Sequence, residues 1–422
     1  MPAAAIKPSI PRSSIDAPPE EELFVRPWRE NLILTAKGAP KALLANAITA
    51  FLEAPEWTEI LAFDAFHQHT VVRGKAPWMA AAVDEVWTGG HDVLAANWLQ
   101  HEGISVSDGI AGQAVEAVAR ERRFHPVLDY LTRCRWDGVP RLDEWAMQYL
   151  GASDSSYVRA VSAAWMIAAV ARVTEPGCKA DTALILEGRQ GLGKSSALKA
   201  LAQPWFTDEV ADLGTKDAAM QLAGVWVLEL AELDSMARGD VSRIKAFMSR
   251  TTDRYRPPYA RRVIEQPRQC VFAGTVNHNE YLCDETGGRR FWPIACTRVD
   301  VDGLTSARDQ LWAEARDRYQ TGEHWWLEGV RLNAAANSEQ RQRYQPDAWS
   351  EPIAKHIMYL SSGVGVGEIL ADVLHQSVGE WTQTDMNRVS RCLRALGWER
   401  RQQRVGDMRE WRYHPPSPES PV

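Results

Sequence analysis

The stretch TALILEGRQGLGKSSALKAL, residues 182–201, decides the fold of the chain. It begins with a short apolar run, Thr182 to Leu186, which is typical of a strand buried on both faces of a parallel sheet. A glycine-rich loop follows, and Ser195 to Leu201 then predicts a helix. A strand, a glycine-rich loop and a helix in this order predict an α/β domain with the loop at the carboxyl end of a strand.

The loop from Gly188 to Ser195 fits the pattern G-x-x-x-x-G-K-[ST], and its residue types suit a triphosphate. Glycines let backbone N–H groups wrap around phosphates, and the N-terminus of the following helix adds a positive partial charge. We expect Lys194 to reach the β- and γ-phosphates and the Ser195 hydroxyl to help hold Mg²⁺. ATP and Mg²⁺ are therefore the predicted cofactors. The residues predicted to bind them are Gly188, Gln190, Gly191, Leu192, Gly193, Lys194, Ser195 and Ser196.

Two further apolar runs, Val225 to Leu230 and Cys270 to Thr275, predict more strands of an α/β domain from about residue 181 to 300. The first run carries Glu229 and is followed by Glu232; one carboxylate would hold Mg²⁺ and the other would polarise the attacking water. The sequence does not decide which has which role. If the strand continued through Glu232, the two side chains would lie on opposite faces.

Polar and basic residues follow these strands. Asn277 is a candidate to hydrogen-bond the γ-phosphate or the water, although asparagine at a strand end is often only a turn former. The segment 250–262 interleaves arginines with tyrosines, which suits a nucleic-acid backbone, whereas a solvated hairpin with salt bridges is the alternative. The candidate DNA-binding residues there are Lys245, Arg254, Arg256, Arg261 and Arg262. Arg289 or Arg290, placed just past the sheet, would be an arginine finger for a neighbouring subunit.

The C-terminal part reads as helix, helix, helix and a strand-like end, the order of a winged helix. From Arg388 to Arg412 there are eight arginines and three acids. Arg388, Arg391 and Arg394 recur at a spacing of three on one side of the third helix, which predicts a DNA-facing surface. A charged face turned only to solvent would give the same pattern.

Composition limits the remaining possibilities. The chain has 422 residues and a net charge of −7, so any nucleic-acid surface must be a local patch. Its six cysteines form no C-x-x-C pair, which fits a reducing cytoplasm. The longest nearly apolar run, from residue 160 to 171, is too short to span a membrane. His67 and His69 are interpreted as surface histidines, because the sequence shows no third ligand at metal spacing.

The predicted organisation has six parts. They are a disordered tail (1–25), a small α+β module (26–112), a helical segment (113–180), a P-loop ATPase core (181–300), a helical extension (301–350) and a winged-helix-like domain with a short tail (351–422).

A series of motifs in order resembles the virulence-associated E family of P-loop ATPases, over roughly residues 120 to 330. The motifs are Phe124 to Pro126, Trp136 to Leu142, Gly188 to Ser195, Glu229 to Glu232, Asp253 to Tyr259 and Gly288 to Pro293. This family is similar to superfamily 3 replicative helicases of phages and mobile elements. The resemblance implies an AAA+-like core, a homo-oligomeric and often hexameric ring, and ATP-driven movement along single-stranded or forked DNA.

Carried over by position, the resemblance makes the Glu229/Glu232 strand the Walker B element and Asn277 the sensor. It also places Lys245 and the Arg254 to Arg262 hairpin at the pore. The acids are three residues apart here, whereas the family usually has adjacent ones. Many relatives carry an N-terminal primase, but about 120 residues are too few for one, so a separate primase is the expected partner.

The sequence thus predicts a cytoplasmic, Mg²⁺-dependent ATP hydrolase of the DNA helicase type. Two other functions stay open. One is an ATP-binding replication initiator or regulator without motor activity, and the other is a P-loop kinase acting on a small molecule.

Overall fold

A computed structural model describes residues 26–78, 84–209, 215–230, 238–256, 262–278, 281, 288–343, 347–360, 362–405 and 408–416. The chain divides after Phe124 into two compact units. No helix in these ranges combines the length and the apolar character that a membrane crossing requires.

The first unit places three helices with a four-stranded sheet of order β3-β2-β1-β4. Its elements are α1 (Leu44–Glu53), β1 (Leu61–Asp64), β2 (His69–Val72), β3 (Glu85–Val86), α2 (Gly89–His101), α3 (Asp108–Glu121) and β4 (Arg123–Phe124). Buried aromatic rings fill the core, and Phe51 packs edge-on against Trp57 with ring centroids 4.7 Å apart. The predicted boundary at residue 112 falls inside α3, because the buried face of that helix belongs to this core.

The second unit begins with three helices, α4 (Pro126–Arg133), α5 (Trp145–Leu150) and α6 (Ser156–Thr174). The apolar run of the sequence lies in α6, where most side chains are buried. Two tryptophans tie this helix to the sheet: Trp165 Nε1 donates to the Phe272 carbonyl at 2.7 Å, and Trp226 Nε1 donates to the Ala169 carbonyl at 2.8 Å. The run is therefore apolar because it covers a sheet.

Among the described residues of this unit, the next seven strands belong to the region around the glycine-rich loop. They are β5 (Ala183–Glu187), β6 (Phe206–Thr207), β7 (Val227–Leu230), β8 (Thr252–Tyr255), β9 (Ile264–Pro267), β10 (Val271–Val276) and β11 (Phe291–Ala295). Five of them form a parallel sheet of order β11-β5-β10-β7-β6, while β8 and β9 form a separate antiparallel hairpin. The three strands predicted from apolar runs are confirmed as β5, β7 and β10, and β10 lies between the other two.

The sequence analysis missed β11, and this changes the position of two arginines. The strand contains Pro293, which is tolerated because β11 pairs only with β5 and lies at the edge of the sheet. Arg289 and Arg290 form a turn before β11. They were predicted just past the sheet, but they lie at the amino end of its last strand.

Helices flank and extend this sheet. They are α7 (Lys194–Ala202), α8 (Lys216–Gln221), α9 (Arg238–Met248), α10 (Val301–Gln320) and α11 (Val330–Gln342). The β8–β9 hairpin is anchored at its base by a buried ion pair, in which Arg268 Nε lies 2.6 Å from Asp253 Oδ2.

The last elements of the chain are α12 (Ser350–Ile357), α13 (Val366–Glu368), α14 (Gln383–Ala395), β12 (Glu399–Val405) and β13 (Met408–His414). A π-helical turn, Ile369–Val373, continues α13. The strands β12 and β13 form an antiparallel hairpin, and Val364 bridges to Tyr413. Three helical segments followed by a hairpin are the order that the sequence predicted.

Candidate active site

The glycine-rich loop connects β5 to α7, and two of its glycines are required by the backbone. Gly193 directly precedes α7 and has φ +95°, a backbone conformation that residues with a Cβ disfavour. A Cβ on Gly188 would lie 2.8 Å from the Cys296 carbonyl oxygen. The loop is therefore held close to the strand end beside it, with α7 starting directly from it.

Lys194 is the cation of this loop and is only 6% exposed. Its Nζ donates to the carbonyl oxygens of Gly188 at 2.6 Å and Arg189 at 3.1 Å, and to Asn277 Oδ1 at 3.2 Å. Asn277 follows β10, the strand next to β5. Parallel pairing thus brings the predicted lysine and the predicted asparagine together.

Glu229 lies on β7 on the other side of β10 and is 2% exposed. Its Oε1 accepts hydrogen bonds from Ser195 Oγ at 2.7 Å and from Thr275 Oγ1 at 2.6 Å. Glu229 pairs with Ala273 across the strands, and Thr275 lies two residues further on the same face of β10. The carboxylate therefore joins the loop to two strands.

The second carboxylate oxygen of Glu229 bears on the predicted metal. Oε2 is buried and has no hydrogen-bond partner among the described residues, and such an atom is costly unless something satisfies it. With Ser195 Oγ close by, the donors are oxygens, which Mg²⁺ prefers. These residues fit the predicted Mg²⁺. Glu232 lies outside the described ranges, so the choice of roles between the two acids stays a prediction.

A second buried carboxylate, Glu187, ends β5 immediately before the loop. It forms a bidentate ion pair with Arg343, with Nε to Oε1 at 2.7 Å and Nη2 to Oε2 at 2.8 Å. Burial alone would lower the pKa of Arg343, but the hydrogen bond and charge of Glu187 raise it above its ordinary value. Arg343 is therefore always positively charged, and it is held beside Glu187, the residue that directly precedes the glycine-rich loop.

Cys296 is a thiol close to the loop, and its backbone N–H donates to the Glu187 carbonyl at 2.7 Å. Burial raises the pKa of Cys296 to about 12, although the charge of Lys194 acts in the opposite direction. The thiol is neutral at physiological pH and is not a nucleophile.

Arg290 lies at the amino ends of the parallel strands, whereas the glycine-rich loop of the same chain lies at their carboxyl ends. Phe291, the next residue, is level with Ala183, the first residue of β5, whereas the loop follows Glu187, the last. This separation is about 13 Å along the strand at the usual rise per residue. The Arg290 guanidinium faces Asp181, with Nε 3.3 Å from Oδ2. Arg290 therefore cannot serve as a finger for the loop of its own chain.

The described residues of the basic segment lie in β8 and beside β8 and β9, and the side chains of Arg254, Arg256 and Arg262 are exposed. Arg254 Nε lies 3.1 Å from Glu265 Oε1 across the hairpin, at a site that is largely exposed on both sides. Arg261 lies outside the described part of the chain.

Lys245 was predicted to face DNA, and this prediction is wrong. The residue is 7% exposed on α9, and its Nζ lies 5.7 Å from the centre of the Phe291 ring. A lysine buried in this way beside an aromatic ring does not present its ammonium to a phosphate backbone.

The three arginines of α14 do not form one open surface. Arg388 is half-buried: it pairs with Asp347 at 2.7 Å and its guanidinium lies 4.0 Å from the Trp349 ring centre. Arg394 Nη2 donates to Tyr413 Oη at 3.3 Å. Of the three, Arg391 is exposed and makes no ion pair or side-chain hydrogen bond within the described residues. The predicted phosphate-facing row is thus reduced, because two of its members hold the C-terminal elements together.

Sequence reasoning missed Thr275, Glu187 and Arg343 at this site. Thr275 lies two residues before Asn277 at the same strand end, and its hydroxyl could have been recognised as a further hydrogen-bonding group of the site. Glu187 ends an apolar run, and a buried acid there requires a partner. Arg343 is 156 residues away in sequence, and nothing in the pattern identifies it as that partner.

The profile of the virulence-associated protein E-like domain matches residues 131–345, just over half of the chain. The chain belongs to the virulence-associated protein E-like family. The family match contains the whole parallel sheet, the glycine-rich loop, Glu229 and Arg343, and it stops before α12. The resemblance stated from the motifs is thereby confirmed. No curated protein matches the sequence.

Two solved structures are similar to the virulence-associated protein E-like chain. One is the A form apo structure of the NrS-1 C-terminal region, at 12% identity and a TM-score of 0.44, covering 85% of this chain and 96% of that one. Another apo structure of the NrS-1 C-terminal region has 12% identity, a TM-score of 0.41 and the same coverage.

Proposed function

We propose that the protein is a Mg²⁺- and ATP-dependent DNA helicase or translocase with an AAA+-like P-loop core, acting in replication of a phage or mobile element. The observation that carries this proposal is the position of Glu229. One buried carboxylate accepts from the loop serine and from β10, and Lys194 and Asn277 meet beside it. Family membership supports the phage or mobile-element setting.

Binding of the triphosphate would use groups that are already convergent. Backbone N–H groups of the loop and the N-terminus of α7 would surround the phosphates. The Lys194 ammonium would exchange its carbonyl partners for β- and γ-phosphate oxygens. Ser195 and Glu229 would hold Mg²⁺, which when bound neutralises charge on the phosphates.

The attacking water requires a polar group opposite the leaving phosphate. Asn277 would orient the γ-phosphate or the water, and the 3.2 Å distance from its Oδ1 to Lys194 Nζ supports this role. Proton acceptance would fall to a carboxylate, either Glu229 or Glu232. Thr275 would act as a positioning residue, because it fixes the orientation of Glu229.

Coupling to DNA would depend on assembly. Arg290 lies too far from the loop of its own chain, so a finger role requires a second copy of the protein, as in a ring. The exposed arginines of the β8–β9 hairpin would contact the phosphates of single-stranded or forked DNA. A separate primase would supply primers.

Hydrolysis of ATP by the purified full chain tests this proposal. Phosphate release with Mg²⁺ is compared with and without single-stranded DNA, for the native protein and for Glu229→Gln. We expect hydrolysis that single-stranded DNA stimulates and that the variant loses while still binding ATP. Binding without turnover in every condition would favour the initiator function, and turnover indifferent to DNA would favour a small-molecule kinase.

A further inference from the structure

Two histidines and an aspartate meet at the turn between β1 and β2 of the first unit. Asp64 is the last residue of β1, and His69, the first residue of β2, pairs directly with it across the strands. His67 lies in the connecting turn. The sequence showed no third ligand near these histidines, and antiparallel pairing supplies one by bringing Asp64 beside His69.

The three side chains are close enough to share one ion. One ligand atom from each lies within 4.8 Å of the other two. The rings of His67 and His69 stack with centroids 5.3 Å apart and planes inclined by 29°. Ligands of a tetrahedral ion with bonds near 2.0–2.1 Å lie about 3.4 Å apart. Small side-chain rotations would therefore suffice to bring all three onto a metal.

The backbone already fixes the aspartate. Asp64 Oδ1 accepts the backbone N–H groups of Phe66 at 2.8 Å and His67 at 2.9 Å, while Oδ2 lies 2.7 Å from His67 Nδ1. Asp64 is 5% exposed. A carboxylate held in this way needs little further ordering to act as a ligand or to orient a histidine that does.

The turn that presents the histidines has an unusual backbone. Gln68, between them, has φ +61°, in the left-handed region that residues with a Cβ rarely adopt. Its side chain donates to the Ala65 carbonyl at 2.5 Å. Non-glycine residues in this conformation concentrate at functional sites. Here the conformation turns the chain so that two imidazoles separated by one residue stack on each other.

His69 also borders a cavity of about 440 Å³ that Asp92 and Glu116 help to line. Asp92 accepts a hydrogen bond from Trp87 Nε1 at 2.7 Å, and Glu116 pairs with Arg120 at 2.8 Å. An ion held by His69 would lie at the edge of this cavity. A fourth coordination position would then face the cavity.

We propose that Asp64, His67 and His69 form a binding site for a late first-row divalent cation, with Zn²⁺ as the best fit and one position open to the cavity. Imidazole nitrogen combined with carboxylate oxygen is the donor set that Zn²⁺ and its neighbours prefer. Mg²⁺ prefers oxygen ligands alone. This site is therefore chemically separate from the site at Ser195 and Glu229.

Co²⁺ binding by the metal-stripped full chain tests the proposal, since Co²⁺ takes the geometry of Zn²⁺ and absorbs visible light. We expect one Co²⁺ per chain, displaced by Zn²⁺. His67→Ala and His69→Ala should each weaken binding by more than the roughly 10–100-fold that outer-shell changes cause. His101→Ala, an exposed histidine of the same unit, is the matched control and should bind like the native chain.

Two results would overturn the site. One is unchanged Co²⁺ affinity in both histidine variants, and the other is a near-ultraviolet sulfur charge-transfer band, which would place the ion on cysteines. Thermal unfolding of each variant separates loss of the site from loss of the fold. ATP binding should be the same in His69→Ala and native protein. Failure of the metal-site proposal can therefore be distinguished from failure of the ATP-hydrolysis proposal.

Discussion

Glu187 and Arg343 form a buried bidentate ion pair one residue before the glycine-rich loop. Their exposed fractions are 4% and 8%. Arg343 also pairs with Glu339, and its carbonyl accepts the backbone N–H of Tyr281 at 3.1 Å. The pair thus fixes the end of β5 against the segment after α11, and the loop begins from a strand end that cannot shift freely.

Breaking this pair should destabilise the protein and weaken nucleotide binding. Arg343→Met leaves a buried carboxylate without its cation, and such losses cost about 3–5 kcal/mol. Urea unfolding measures the free energy of unfolding, and titration with a fluorescent ATP analogue measures affinity. Glu187→Leu combined with Arg343→Met should recover most of the stability. Arg341→Met changes an exposed residue in the last turn of α11, two positions before Arg343. This control should leave both values unchanged, and an equal loss there would refute the assignment.

Lys194→Ala should weaken ATP binding by about 10- to 100-fold, since hydrogen bonds to charged groups contribute about 1.5–3 kcal/mol. Calorimetric titration with ATP and Mg²⁺ gives the dissociation constant. Lys199→Ala removes an exposed lysine from the same helix and serves as the control. Equal affinities in the two variants would show that Lys194 does not contact the phosphates.

Thr275→Val should reduce turnover more than ATP affinity. The substitution removes the hydroxyl that donates to Glu229 Oε1 at 2.6 Å and keeps the side-chain volume. Outer-shell partners of this kind typically change metal affinity or activity by 10–100-fold. Steady-state kinetics at several Mg²⁺ concentrations is the measurement, with Thr305→Val on the exposed face of α10 as the control. A change confined to KM would argue against a positioning role.

Arg290→Ala should retain ATP binding and lose turnover, and mixing it with Lys194→Ala should partly restore hydrolysis. Mixed assemblies would pair an intact loop on one chain with an intact arginine on the next. Because Arg290 faces Asp181, Asp181→Asn is the control that breaks the ion pair and keeps the guanidinium. If Asp181→Asn abolishes turnover as fully as Arg290→Ala, the arginine has a structural role.

Removal of Arg391 should weaken DNA binding and reduce the salt slope by about one, the change expected for one phosphate contact. Arg388→Ala should instead lower stability, because it breaks the pair with Asp347 and the contact with Trp349. Fluorescence anisotropy with labelled single-stranded DNA across salt concentrations compares the two. A larger change in salt slope for Arg388→Ala would contradict the assignment of that residue to packing.

The sequence predicts most of the fold around the site because local patterns determine it. Apolar runs identified β5, β7 and β10, and the loop pattern placed Lys194 and Ser195. Parallel pairing then brings the carboxyl ends of these strands together, so Glu229 and Asn277 could be named in advance. The edge strand β11 escaped detection because Pro293 interrupts its apolar run.

What the sequence could not predict depends on distant contacts. A lysine on an amphipathic helix is ordinarily exposed, but the folded structure buries Lys245 and places its ammonium near the ring of Phe291. The arginines of α14 have the spacing expected of a DNA-binding helix face. However, Arg388 pairs with Asp347 and Arg394 donates to Tyr413, and the sequence pattern reveals neither contact. Asp64 joins the histidines because of strand register, a property that composition does not contain.

Three oxygens of the protein hold the Lys194 ammonium in this structure: the carbonyl oxygens of Gly188 and Arg189, and Asn277 Oδ1. Any anion that binds the lysine has to compete with them. A nucleoside monophosphate carries less charge than a triphosphate and gains less by displacing these oxygens, so we expect this arrangement to favour triphosphates over monophosphates.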